Sequence, residues 1–301
     1  MVSRKFGAIA KRVLAAIVMI PIAIDVLYIG SPYVEVLAIV VGGLLAWEWA
    51  NMVPNQNPST YVTAYIMSLA VAIWGYNFAV VIPMICITTL FTWMIALKEK
   101  RRKLITLGVP YISVGIASLI WLYRSFDPSE GNSDPQYNYS FVMTMWFFLM
   151  VWSMDIGGLV VGCNLRGPKL APKISPNKTW SGLFGGILLS VSASIIYMYF
   201  CTEVMDIPFY DFENFRHISF TYRPLQLRFI WDIDNQVFYA LLAVCVAVLA
   251  QIGDLIESAI KRKVGVKDSS KLIPGHGGVF DRVDGLIFAA PFVYLFFMNL
   301  R

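Results

Sequence analysis

Apolar blocks of roughly 17–25 residues alternate along the chain with short segments into which nearly all the charge is collected. A block of that length crosses about 30 Å of hydrocarbon as a helix. A helix is also what lets such a block satisfy its own backbone hydrogen bonds without water. The pattern predicts nine membrane helices, at 9–29, 33–53, 60–75, 77–97, 104–123, 141–161, 182–202, 236–257 and 283–300. Only Gly75, Tyr76 and Asn77 separate the third from the fourth, so this pair reads alternatively as a hairpin that does not fully span. The first block follows Arg4, Lys5, Lys11 and Arg12, as a signal peptide would. No small-residue cleavage site follows it, and it is read as a retained helix. The expected fold is an all-α polytopic protein forming a single membrane domain over 1–301. Residues 1–140 supply scaffold helices with dimer or lipid contacts, and 141–301 supply the helices and loops that carry the chemistry.

Composition agrees. The chain is 58% hydrophobic and 14% charged, against about 45–50% and about 25% for a soluble domain. The net charge of +5 is too modest for a nucleic-acid patch and reads as membrane topology. With the N-terminus in the cytoplasm, 19 of the 24 basic residues fall in the start of the chain, the 98–103 turn, the 162–181 loop and the 258–282 loop. The C-terminus then lies on the opposite side, with the loops at about 124–140 and 203–235. The second of these is rich in aromatics and reads as an interfacial segment, or else as a small packed cap. Cys86, Cys163, Cys201 and Cys245 show no metal-like spacing and read as free thiols.

Candidate chemistry concentrates at the end of the chain, in QIGDLIESAIKRKVGVKDSSKLIPGHGGVFDRVD from Gln251 to Asp284. Asp254 and Glu257 are three apart at the end of an apolar helix, and Ser258 and Lys261 continue the same face. Acids at a membrane rim are costly unless paired, solvated or metal-bound. A basic run follows, then Pro274-Gly275-His276-Gly277-Gly278, where glycines let backbone N–H groups approach an anion. Asp281 and Asp284, again three apart, open the last helix. Carboxylates of this kind hold Mg²⁺, whose remaining ligands are waters and substrate phosphates. Lysines and arginines neutralise the remaining phosphate charge.

A second segment, Lys173-Ile174-Ser175-Pro176-Asn177-Lys178-Thr179-Trp180-Ser181-Gly182, precedes the seventh helix. Free backbone donors, hydroxyls and a lysine at a helix start make an anion site; an ordinary capped helix start is the alternative. Asp155 is a further rim acid, late in the sixth helix beside Gly157 and Gly158.

Ser258 to Asp284 resembles the signature of the phosphatidate cytidylyltransferases, or CDP-diacylglycerol synthases. Its fixed positions match at Ser258, Lys261-Arg262, Lys267-Asp268, His276-Gly277-Gly278, Asp281-Arg282 and Asp284, and Gly253-Asp254-Leu255 and Glu257 also fit. Ser175-Pro176 and Lys178-Thr179-Trp180 resemble the family's second motif, and the nine-helix count agrees with its architecture. The motifs cover roughly 155–290; the first half matches only in being helical membrane. The chain departs at Asn177, where the family often has Lys, at Ser181, where it often has Glu, and at Ile156, where a small hydroxyl residue is usual.

The resemblance implies that CTP and phosphatidate react to give CDP-diacylglycerol and pyrophosphate. The lipid phosphate is already largely ionised at neutral pH, so no general base is needed. The implied metal ligands are Asp254, Asp281 and Asp284, with Asp268 or Asp155 as further candidates, for Mg²⁺ alone or with a second, monovalent ion. Lys178, Lys261, Arg262, Lys267 and Arg282 would contact phosphates, and His276 would bond a phosphate or orient a carboxylate. Gly277 and Gly278 would cradle phosphate, with Ser175, Thr179 and Ser258 in substrate binding. The resemblance further implies a homodimer in a bacterial inner membrane with its site facing the cytoplasm. One rival is a CTP-dependent lipid-alcohol kinase, which needs a base and releases CDP. Another is an ion-coupled transporter, which needs acids at mid-membrane, where Glu35 and Glu48 are the only candidates.

Overall fold

The computed structural model describes residues 20–75, 78–126, 138–201, 233–273 and 277–299. Among them nine helices follow one another: α1 (Ile20–Ile29), α2 (Tyr33–Met52), α3 (Pro58–Trp74), α4 (Phe78–Ile95), α5 (Arg102–Arg124), α6 (Tyr139–Leu165), α7 (Trp180–Tyr199), α8 (Ile233–Val264) and α9 (Phe280–Asn299). Each predicted helix has its counterpart. Helices α2, α5, α6, α7 and α8 are long and apolar enough to cross a membrane, and α1, α3 and α4 are shorter apolar helices. The start of the predicted first helix, most of the 124–140 loop, the 203–235 segment and His276 lie outside the described residues.

Two features differ from expectation. The 162–181 loop contains an antiparallel hairpin, β1 (Lys169–Ala171) with β2 (Ser175–Thr179), pairing Lys169 with Thr179 and Ala171 with Ser175. Its strands are too short and too polar for the alternation that announces a strand. Helix α8 also runs on past 257 to Val264, carrying its basic residues in helical register. Lys261 pairs back to Glu257 one turn earlier, which supports that extension. Gly265, at φ +93°, then ends the helix, its N–H and that of Val266 both bonding the Lys261 carbonyl.

Leu159, Phe184, Leu188 and Leu241 are each more than 60% exposed, as lipid-facing positions are. Inside, α5 is the central helix. Ile105, Val109, Ile112 and Ile116 pack toward α2, α3 and α9, while Ala117, Trp121 and Leu122 pack toward α4, α6 and α9. Buried polar groups bond across helices, as a hydrocarbon solvent demands. Trp146 Nε1 donates to Ser194 Oγ (2.8 Å), Tyr65 OH to the Ile105 carbonyl (2.6 Å) and Trp49 Nε1 to the Leu104 carbonyl (3.0 Å).

Two glycine crossings position the site. Between α6 and α7, a Cβ on Gly157 would lie 2.7 Å from the Gly185 carbonyl, and one on Gly182 would lie 2.8 Å from that of Gly158. Between α8 and α9, a Cβ on Gly253 would meet Phe288 Cβ at 2.7 Å and the Asp284 carbonyl at 2.9 Å. Small residues allow such backbone approach. The first crossing draws the Asp155 turn toward β2, and the second sets Asp254 beside Asp284.

Candidate active site

Asp254 and Glu257 from α8 meet Asp284 from α9, with one carboxylate oxygen of each within 4.8 Å of the others. Glu257 is 1% exposed, and its Oε1 has no hydrogen-bond partner among the described residues. Three carboxylates this close repel one another, and an orphaned carboxylate oxygen is costly to bury. A hard cation answers both problems, and an all-oxygen donor set suits Mg²⁺. The residues therefore fit the metal that the motif implies. Glu257 joins the cluster through its place one turn after Asp254.

Cations surround the triad. Lys178, on β2, forms an ion pair with Asp254. Lys261, itself buried, bridges Glu257 (2.5 Å) and Asp281 (2.6 Å). Asp254, Lys178 and Arg282 are the charges that act on Asp155, which joins the site from α6. Ser258 Oγ donates to Asp254 Oδ1 at 3.3 Å.

Asp281 lies beside the triad and organises the glycine loop. It accepts from Lys261, from Ser269 N (3.1 Å) and Oγ (3.1 Å), and from Gly278 N (2.8 Å). The Gly278 N–H is thus directed at Asp281, and Gly277, at φ +88°, makes the turn before it. A Cβ on Gly278 would lie 1.9 Å from Ser269 Oγ, so no side chain fits there.

The remaining candidates are distributed as follows. Thr179 Oγ1 accepts from Gly182 N (3.1 Å) and caps α7. Ser175 opens β2 opposite Ala171. Arg262 donates to the carbonyls of Ile174 (3.3 Å) and Val266 (3.2 Å), tying the hairpin to the end of α8. Lys267 and Asp268 are exposed in the loop that follows α8.

Sequence reasoning missed Glu48 as part of this assembly. It is 1% exposed near the end of α2 and accepts from Ser270 Oγ (2.6 Å), Ser269 Oγ (3.3 Å), Val279 N (2.9 Å) and Phe280 N (2.7 Å). Glu35, at the other end of α2, pairs with Arg124 (3.0 Å). The two acids that a transporter reading needs are thus bonded to a loop and to an arginine. The available signal was that Glu48 is an acid in an apolar block with no basic residue within one helical turn, so its partners had to come from elsewhere.

The chain is similar in sequence to known proteins. The chain is 38% identical over 193 residues to a phosphatidate cytidylyltransferase of Rickettsia bellii (strain RML369-C), covering 64% of this chain and 68% of that one. It is 28% identical to the phosphatidate cytidylyltransferase of Haemophilus influenzae over 317 aligned positions, 95% of this chain and 98% of the relative. That of Brucella suis biovar 1 is 29% identical over 95% of this chain and 92% of its own. The model of the cytidylyltransferase family matches residues 10–300, so it spans the N-terminal helices as well as the carboxylate cluster, and the chain belongs to that family.

Proposed function

We propose that this membrane enzyme transfers CMP from CTP to phosphatidate, giving CDP-diacylglycerol and pyrophosphate. The observation that carries the reading is the Asp254–Glu257–Asp284 cluster with its orphaned buried oxygen, paired with Lys178 and Lys261. A phosphate oxygen of the lipid bonds to the α-phosphorus of CTP, and the bond from that phosphorus to the bridging oxygen breaks, releasing pyrophosphate. The nucleophile is already an anion, so the protein's task is to align two polyanions and stabilise the departing charge.

Asp254, Glu257 and Asp284 would hold Mg²⁺, with Asp155 facing it from α6 and Asp281 holding Lys261 in place. Bound there, the ion neutralises phosphate charge and polarises the phosphorus–oxygen bonds. Lys178 and Lys261 compensate the carboxylates and contact phosphate oxygens as substrates arrive, together with Arg282, Arg262 and Lys267. Gly277 would let the backbone approach the polyphosphate, and His276 would bond a phosphate or orient a carboxylate.

All nine helices would cross the bilayer, with the N-terminus in the cytoplasm and the C-terminus outside. Two contacts support one basic face. Arg101 Nη1 donates to the Lys263 carbonyl (2.6 Å), and Arg262 reaches the 169–179 hairpin, so the 98–103, 162–181 and 258–282 segments share one end of the bundle. That end would face the cytoplasm of a bacterial inner membrane, where CTP is available, and the enzyme would act as a homodimer.

The test supplies purified protein in lipid with CTP, Mg²⁺ and phosphatidate. Pyrophosphate and CDP-diacylglycerol are expected in equal amounts. Release of CDP in their place, or no pyrophosphate from folded protein, overturns the reading.

A further inference from the structure

We infer that Glu48 is a positioning residue for this reaction, holding the start of α9 and its loop so that Asp281 and Asp284 face the carboxylates of α8. The inference rests on the cytidylyltransferase reading and concerns a residue in α2, far in sequence from both motifs.

Four bonds carry it. Oε1 accepts from Ser270 Oγ and Val279 N, and Oε2 accepts from Phe280 N and shares the single Ser269 Oγ proton with Asp281. The two N–H groups belong to Val279, which flanks the start of α9, and to Phe280, its first residue, where donors have no intrahelical partner and the helix dipole favours an anion. All four donors lie in the segment 269–280, so the carboxylate is turned entirely toward the motif. The next residue is Asp281, and Asp284 follows one turn later on the same face.

A continuous chain then runs to the cluster. Ser269 Oγ lies 3.3 Å from Glu48 and 3.1 Å from Asp281; Asp281 bonds Lys261 at 2.6 Å; Lys261 pairs with Glu257 at 2.5 Å. The anchor itself is firm. The neighbouring Trp49 is buried, bonded to the Leu104 carbonyl, and packed edge-on against Phe280 with ring centroids 5.5 Å apart. Glu48 is therefore a fixed acceptor pair against which the start of α9 is set. Gln in its place has a single acceptor oxygen, and its amide N–H₂ would face one of the donors.

The experiment compares the parent chain with Glu48→Gln and with Glu35→Gln. Glu35 is a buried carboxylate of the same helix, but it pairs with Arg124 away from the site. Two readouts are taken: the Mg²⁺-dependent rise in melting temperature without substrate, and the Mg²⁺ concentration that half-saturates pyrophosphate release. Glu48→Gln is expected to raise the half-saturating Mg²⁺ about tenfold or more, as loss of groups that orient metal ligands does. It should also lose the thermal response at Mg²⁺ concentrations that stabilise the parent. Glu35→Gln should melt lower than the parent and keep both Mg²⁺ responses. A Glu48→Gln protein with the parent's two responses overturns the inference, and so does a Glu35→Gln protein that loses them equally. If Glu48→Gln yields no folded protein, Ser270→Ala decides, since it removes one of the four bonds. An increase of about threefold in half-saturating Mg²⁺ supports the inference, and no change overturns it. A parent that gains thermal stability from Mg²⁺ but releases no pyrophosphate defeats the reaction reading, and the thermal comparison still judges Glu48.

Discussion

Lys178 on β2 forms an ion pair with Asp254 on α8, joining the two polar segments of the chain across 76 positions. The hairpin sets this pair up. Thr179, the next residue, ends β2 and caps α7, so the lysine is fixed at the strand–helix junction. Lys178→Met is expected to lower kcat/KM about 10²-fold or more, because Asp254 loses its countercharge and the phosphates lose a cation. Lys178→Arg should recover only part of this, since a planar guanidinium does not replace a compact ammonium. Pyrophosphate release at saturating Mg²⁺ measures both.

The carboxylate cluster makes a prediction of opposite sign in the presence and absence of metal. Asp284→Asn removes one of three mutually repelling charges. Without divalent cations the variant is expected to melt higher than the parent. With Mg²⁺ it should gain less than the parent does, and activity should fall to background. Thermal melts with chelator and with Mg²⁺ give both comparisons. A variant that melts lower under both conditions contradicts the assignment of Asp284 to the metal.

The crossing of α8 and α9 is the third point of test. A Cβ on Gly253 would stand 2.7 Å from Phe288 Cβ and 2.9 Å from the Asp284 backbone oxygen. Gly253→Ala must push the helices apart at the level of the cluster, costing about 1–3 kcal/mol. A fall in melting temperature together with a raised Mg²⁺ requirement is expected, since Asp254 and Asp284 separate with their backbones. Gly43, where an added Cβ meets nothing within 4 Å, supplies the comparison: Gly43→Ala should leave both properties near those of the parent.

The sequence made the helices and the motif carboxylates legible for one reason: in a membrane protein, charge interrupts a nearly uniform apolar signal. Asp254, Glu257, Asp281 and Asp284 stood out as acids at block ends, and their three-residue spacing placed each pair on one helical face. The resemblance of the 175–180 segment to the family's second motif brought in Lys178. The hairpin at 169–179 stayed hidden because its strands are short and polar. The division of labour between Glu257 and Asp281 stayed hidden too. Spacing shows that both are near the site, but only the fold shows that Asp281 bonds Ser269 and Gly278 while Glu257 keeps an oxygen without a partner among the described residues. Glu48 was the least legible, since its N–H donors lie 231 and 232 positions away and are backbone groups that no side-chain pattern can announce.

Gly278 tests whether the loop is built by packing. A Cβ there would lie 1.9 Å from Ser269 Oγ and 2.6 and 2.8 Å from the two oxygens of Glu48. The serine alone could rotate away, but the carboxylate is still held by Ser270 Oγ, Val279 N and Phe280 N and cannot move without releasing them. Gly278→Ala is therefore expected to cost at least about 1–3 kcal/mol and to abolish most activity. Adding Ser269→Ala should not restore it, since the clash with Glu48 remains and Asp281 loses a donor. If the double variant regains the parent's activity, the obstruction is the serine alone, and Glu48 does not fix the loop as its bonds indicate. Melting temperature and pyrophosphate release for the two single variants and the double variant separate these outcomes.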